Sequence, residues 1–209
     1  MPDVAFRLVL PLYCLAAVVG LVAHRARIYR KTGRDPIVMR PFAQTDAPQR
    51  YLESALTVGS SVLALDVLLN AVSPRLIHEY FAVSALRTSP YLGWCGLALV
   101  TAGLLVSSGG VMSMTTAWRI GIDRNNPGPL VTSGMFQYVR HPIYAGMLGV
   151  TSGMAVATAD LLSVAVAAAS WIGIPLQARL EEEFLSSVYG GEYQRYRANT
   201  GRFWPRFPR

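Results

Sequence analysis

The stretch PIYAGMLGVTSGMAVATADLLSVAVAAASWIGIPLQA, residues 142–178, decides the fold. It is apolar almost throughout, yet it breaks at Thr158-Ala159-Asp160. Asp160 suits a helix N-cap, because its carboxylate can take an orphan N–H of the next turn. Two arms, Pro142 to about Ala157 and Asp160 to about Ala178, are joined by only Thr158-Ala159. So short a link predicts a tight antiparallel helical hairpin. Pro142 suits the first turn of the first arm, where its missing N–H costs nothing. Pro175 removes a donor inside the second arm and predicts a kink there.

Working outward, three more apolar blocks precede the hairpin: Val4–Ala23, about Ala55–Val72 and Tyr91–Met112. Blocks of about 17–25 apolar residues are long enough to cross a hydrocarbon core as helices. The chain of 209 residues is 52% hydrophobic and 15% charged, poor in charge for a soluble domain. The fold expected is all-α: a polytopic integral membrane protein of about five transmembrane helices, the fourth and fifth forming the hairpin. The fourth arm is short for a full crossing. Residues 1–209 read as a single membrane domain, with 1–112 supplying the N-terminal spans and 113–209 the core. Positive charge follows the first block (Arg25, Arg27, Arg30, Lys31) instead of preceding it, which argues for a retained span over a signal peptide. The C-terminal Phe207-Pro208-Arg209 carries no prenylation box.

Basic residues set the expected orientation. Seven Lys/Arg lie in 24–50, three in 113–141 (Arg119, Arg124, Arg140) and six from 179 onward, all on one side; Arg7, Arg75 and Arg87 fall on the other. The bias places the N-terminus outside and the C-terminus in the cytoplasm of a bacterial-type inner or plasma membrane. It also accounts for the net charge of +7 through anionic lipid, without nucleic acid as a partner. Cys14 and Cys95 read as packing residues, and His24, His78 and His141 have no metal-ligand spacing. Gly96, Gly103 and Gly110, seven apart with Ser107 between, should share a helix face and admit a close neighbour. Asp66, mid-span with Asn70 one turn on, is a functional candidate by depth alone, against the plainer reading of a satisfied polar contact. Trp118-Arg119, Phe203, Trp204 and Phe207 read as interface aromatics, or as a lid over a lipid-accessible site.

Chemistry concentrates at the ends of the hairpin. In Ser133-Gly134-Met135-Phe136-Gln137-Tyr138-Val139-Arg140-His141-Pro142-Ile143-Tyr144, Thr132 or Ser133 can cap a short helix and Gly134 permits a tight backbone near a ligand. His141 and Arg140 sit at a helix N-terminus, a place that attracts anions. After the second arm comes Arg179-Leu180-Glu181-Glu182-Glu183. Carboxylates beside an apolar span are costly unless paired or wet, and Arg179 can pair with Glu182 or Glu183 at helical spacing. A basic and an acidic turn thus emerge at one membrane face, able to hold a cationic amphiphile between them.

Those residues resemble the isoprenylcysteine carboxyl methyltransferase family, which is related to the membrane phospholipid methyltransferases. The resemblance runs from about Trp118 to Pro205. It rests on Leu130–Phe136, on Arg140-His141-Pro142-Ile143-Tyr144, on Glu181-Glu182, on Tyr189-Gly190-Gly191-Glu192-Tyr193 with Tyr196, and on Arg202 with Pro205. Met135 departs from a frequent proline. The resemblance implies S-adenosylmethionine as methyl donor, bound at a cytoplasmic pocket by Gly134, Tyr138, Arg140, His141, Pro142, Tyr144, Glu181 and Glu182. It implies methyl transfer to a lipophilic acceptor of the isoprenylcysteine carboxylate kind, arriving from the bilayer, with a phospholipid amine or a thiol as alternatives. Such transfer is chiefly a matter of alignment in a dry pocket. Arg140, Arg179 and Glu181 are the candidate catalytic residues: the arginines to orient an acidic acceptor, the carboxylate to accept a proton from an amine. A nicotinamide-dependent sterol-reductase-like enzyme and a non-catalytic membrane protein on the same scaffold are the remaining alternatives. The Gly-rich dinucleotide fingerprint of the former is missing from the sequence.

Overall fold

In the computed structural model, residues 4–37, 47–83, 90–118 and 127–206 are described. Arg40, Arg87, Arg119, Arg124, Phe207 and Arg209, as well as the side chains of Arg7 and His78, lie outside that description. Among the described residues seven α-helices follow one another: α1 (Val4–Thr32), α2 (Ala47–Val72), α3 (Pro74–Tyr80), α4 (Pro90–Met114), α5 (Pro142–Thr158), α6 (Leu161–Tyr189) and α7 (Gly191–Asn199). The apolar blocks all become helices. Three of them outrun their blocks, because polar residues at the ends continue the helix until a glycine or a loop stops it.

Among the described residues four helices, α1, α2, α4 and α6, are long and apolar enough to cross a membrane. α5 has 17 residues, or about 26 Å at 1.5 Å per residue, against a hydrocarbon core of about 30 Å. Large apolar side chains on the outside, among them Val18, Val22, Leu68, Leu105 and Ile172, are exposed. Their proper solvent is lipid, so the protein is an integral membrane protein.

The hairpin forms as its residues dictate. Ala159 takes the left-handed conformation (φ 51°, ψ 47°), and the Asp160 side chain accepts from the Ser163 N–H at 2.9 Å to start α6. Leu161 N donates to Phe81 O and Val83 N to Ala159 O, so the segment after α3 clips the tip of the hairpin. α6 runs unbroken through Pro175.

The glycine stripe finds its neighbour in α5, which lies antiparallel to α4. A Cβ on Gly96 would stand 2.4 Å from Ala157 N, one on Gly103 2.6 Å from Gly146 O, and one on Gly110 2.7 Å from the Ile143 side chain. Gly146 and Gly153 present the same bare face back. Two backbones approach where neither carries a side chain, and Ser107 Oγ donates to Ile143 O at 3.0 Å across the seam. The short arm is therefore held by a full-length helix along its entire length. Leu10, Val67, Leu97, Val100, Met154 and Ala157 join α1, α2, α4 and α5 in one apolar cluster. α2 lies against α6, with Asn70 Nδ2 donating to Asp160 Oδ2 at 3.3 Å.

Candidate functional site

The basic turn is built against the chain's tail. Gly134 adopts φ +63° and opens a 3₁₀ turn, Gly134–Gln137, whose Met135 N–H donates to Ser113 Oγ of α4 at 3.2 Å. A Cβ at Gly134 would meet that Oγ at 2.7 Å, so the glycine is required by close approach to α4. Ser133 precedes the turn without a side-chain cap. Residues 138–141 then pair with the segment after α7: Gly201 N donates to Tyr138 O, Arg140 N to Gly201 O at 2.8 Å and His141 N to Arg202 O at 3.0 Å. Pro142 starts α5 with His141 at its N-cap position.

These backbone bonds bring two guanidinium groups and an imidazole to one carboxylate. Glu182, 3% exposed, accepts from Arg140 Nε at 3.0 Å and from Arg202 through Nε at 3.1 Å and an Nη at 2.5 Å. His141 Nε2 stands 3.2 Å from the same Glu182 oxygen, and its Nδ1 stands 3.7 Å from Glu181. Arg140 also donates to the carbonyls of Arg197 and Thr200. Fork geometry and charge make such bonds strong, so Glu182 acts as the pin that fastens tail to hairpin. The expected Arg179–Glu182 pairing does not form. Glu182 turns inward to Arg140 and Arg202, while Arg179 and Glu183 stay exposed on the outer side of α6.

A cavity of about 110 Å³ opens beside this pin, lined by Arg140, His141 and Glu181, by Phe136, Phe184, Tyr189, Tyr193 and Tyr196, by Met114 at the end of α4, and by Pro127, Leu130 and Val131 ahead of the basic turn. Of the residues singled out in the sequence, Arg140, His141 and Glu181 face it. Gly134, Tyr138, Pro142, Tyr144, Glu182 and Arg179 are not in its lining. Tyr144 stacks on His141, with centroids 5.4 Å apart and planes within 8°, and its hydroxyl interacts with Glu181 and Gln177. Phe203 covers the imidazole from 6.0 Å. Glu181 keeps a third of its side chain exposed and is the carboxylate of the pair able to meet a ligand.

The tail tyrosines close the site. Tyr196 OH donates to Phe136 O at 2.7 Å, and Tyr189 OH donates to Gly128 O. Tyr193 is fully buried, its hydroxyl has no partner among the described residues, and burial with the nearby Glu182 charge pushes it up to about 12. It is therefore a neutral O–H donor at the cavity wall. Trp118, expected at the interface, is instead buried edge-on against His24 with centroids 5.0 Å apart; Trp204 is exposed. Asp66 sits at the opposite end of the bundle with Asn70 and Asp160, about 30 Å along α6 from Glu181, and takes no part in the cavity.

Residues 91–192 match the phospholipid methyltransferase family. The family region thus begins with α4, whose glycine seam carries α5, and includes both turns of the site. The chain is 35% identical over 116 residues to the cobalt-zinc-cadmium resistance protein CzcN of Cupriavidus metallidurans, covering 54% of this chain and 52% of that protein. It thus spans about half the length of that curated relative. Among solved structures, the eukaryotic intramembrane Ras methyltransferase, isoprenylcysteine carboxyl methyltransferase, superposes with a TM-score of 0.53 at 21% identity, over 78% of this chain and 54% of that one. At that identity the likeness carries the fold. The resemblance to membrane methyltransferases, first visible in RHPIY and the paired glutamates, is borne out.

The sequence reading missed two contributions. Arg202 was part of a motif without a role; only the Val139–Gly201 bridge brings it to Glu182. Gln49 and Glu53 lie outside the apolar block that predicts the second span. α2 begins at Ala47 and buries both, and their spacing of one helical turn was the available signal.

Proposed function

We propose that this protein is a membrane methyltransferase that uses S-adenosylmethionine as donor and a lipophilic acceptor drawn from the bilayer. The observation that carries the reading is the convergence of Arg140, His141 and Glu181 on one aromatic-walled cavity at the open end of the α5–α6 hairpin. A carboxylate with a free edge and the faces of Phe136, Phe184 and Tyr189 suit a sulfonium and an ammonium group. The Tyr193 O–H, the imidazole of His141 and the guanidinium of Arg140 suit a carboxylate and ribose hydroxyls. The enclosed room of about 110 Å³ is smaller than the roughly 300–1,000 Å³ of ordinary ligand sites, so it holds part of a nucleoside-sized molecule and the mouth holds the rest. Bound there, S-adenosylmethionine supplies an electrophilic methyl group.

The chain's own task is positioning. Glu182 fixes Arg140 and Arg202, the tail fixes the loop through Tyr189 and Tyr196, and the aromatic wall excludes water; alignment of that kind lowers a displacement barrier without any protein nucleophile. α5 serves as a fifth, short crossing, with the N-terminus outside and the site at the cytoplasmic face of a bacterial-type inner or plasma membrane, in keeping with the basic-residue bias. The acceptor is either the isoprenylcysteine-type carboxylate or a lipid amine, and the polar residues beside the cavity bear on that choice.

Calorimetry on purified protein in nanodiscs tests the reading. Wild type is expected to bind S-adenosylmethionine, and His141→Ala and Glu181→Ala to lose at least tenfold in affinity, on the order of one charge-assisted contact. Equal donor affinity in both variants would overturn the site.

A further inference from the structure

The last turns of α1 carry four cations, Arg25, Arg27, Arg30 and Lys31, and the fold sorts them onto two sides of the helix. Asp35, brought back by the turn at Gly33 with φ +67°, takes Arg25. Arg25 Nε donates to Asp35 Oδ1 at 3.0 Å and an Nη donates to Oδ2 at 2.5 Å. The Ile37 N–H donates to Asp35 as well, at 3.0 Å. Successive helical residues point about 100° apart, so Arg27, Arg30 and Lys31 lie on the side of α1 away from Arg25, with Ala23 and Ala26 among them. All five of these residues are exposed, and they line a groove of about 480 Å³. Among the described residues no carboxylate pairs with Arg27, Arg30 or Lys31.

The groove stands where hydrocarbon gives way to headgroups. The apolar block Val4–Ala23 rises about 30 Å at 1.5 Å per residue, the thickness of a hydrocarbon core. Arg27 is about 6 Å further along the axis, within a headgroup layer of about 5–8 Å. Helix side chains lean toward the N-terminus. At this end of α1 that direction is back toward the bilayer, so the apolar stems of Arg30 and Lys31 lie along the helix while their charged ends stay at headgroup level. The foot of the groove is apolar and its head is cationic. We propose that it holds one anionic phospholipid, the phosphate among Arg27, Arg30 and Lys31 and an acyl chain over Ala23 and Ala26. A dissolved anion would leave the alanine foot wet, and a zwitterionic lipid would bring an ammonium group to three like charges. General attraction between basic residues and an anionic leaflet depends on net charge alone; this site depends on which face of α1 carries the charge. None of its residues lines the donor cavity, so the inference stands apart from the methyltransferase reading.

The test uses the full chain in nanodiscs of equal parts phosphatidylglycerol and phosphatidylcholine with matched acyl chains, released into the mass spectrometer under native conditions. Wild type is expected to retain a single phosphatidylglycerol at least fivefold over phosphatidylcholine. At about 1 kcal/mol per cation near a charged surface, Arg27→Gln and Arg30→Gln should each weaken that retention about fivefold, and together about thirtyfold. Arg27→Lys should keep much of it. Arg25→Gln removes the same charge from the other face and should change retention by less than about twofold. Equal losses in Arg25→Gln and Arg27→Gln would reduce the site to diffuse attraction and overturn it. Equal retention of the two lipids would overturn it too, as would displacement of the lipid by glycerol 3-phosphate, which would mark a site for dissolved phosphate. Melting temperatures of the variants separate lost lipid from lost fold, with Arg30→Gln standing in should Arg27→Gln melt early.

Discussion

Replacing Glu182 with Gln should release the tail from the hairpin. The carboxylate is 4% exposed at its side chain and Arg140 9%, while Arg202 is 29% exposed. Removing one partner of a buried ion pair costs about 3–5 kcal/mol, because the other charge is left uncompensated. The Arg140–Glu182 contact at 3.0 Å is of that buried kind. The share of the more exposed Arg202 is smaller, since water screens it. Four backbone bonds, from Gly201 and Arg206 to Tyr138, from Arg140 to Gly201 and from His141 to Arg202, survive the substitution. A loss near the lower figure, about 3 kcal/mol, is therefore expected for tail docking, which is about a hundredfold in the open population. Trypsin reads it directly. Arg195 and Arg197 lie in α7 and become cleavable when the tail lifts, and the cleavage rate follows the open population while opening is fast. Mass spectrometry of the protein in nanodiscs should show C-terminal clipping accelerated by about two orders of magnitude, with the hairpin intact. A rate within about threefold of wild type would show that the backbone bridge alone holds the tail and that the ion cluster is ornamental.

Gly103→Ala should cost about 1–3 kcal/mol through overpacking, since its Cβ would stand 2.6 Å from backbone rather than from a side-chain tip; a lowered melting temperature by intrinsic fluorescence checks this, with Gly173→Ala, which meets nothing within 4 Å, as the neutral control. Asp160→Ala removes the cap of α6 and should cost about 1 kcal/mol on the same assay. Arg179→Ala, on the exposed side of α6, should leave donor affinity as it is while Glu181→Ala weakens it; the reverse order would relocate the site to the outer face of the helix.

Much of the fold is legible in the chain because it rests on local properties. Asp160 can cap only the segment that follows it, Pro142 can begin a helix but not continue one, and Thr158-Ala159 is too short for anything but a reversal. The seven-residue glycine spacing announces a close neighbour but not which one, since every apolar block is a candidate until the hairpin folds back. Length alone marks α5 as short, its 17 positions falling below a full crossing, but only the fold shows that α4 packs against it along the glycine seam.

The sequence by itself determined that this is a bundle of apolar helices ending in a hairpin, with a basic turn before it and an acidic turn after it. Helix length, capping and the oily character of the blocks are written in neighbouring residues. What only the tertiary structure decided is the division of labour between the two glutamates. Glu182 and Glu181 are adjacent and chemically alike, but successive residues on a helix point about 100° apart. One therefore turns into the bundle, where Arg202 arrives from a tail held by backbone bonds to Tyr138, Arg140 and His141, and the other turns to the cavity. The burial of Gln49 and Glu53 was settled in the same way, by how far α2 continues alongside α6, a long-range contact that no local pattern encodes.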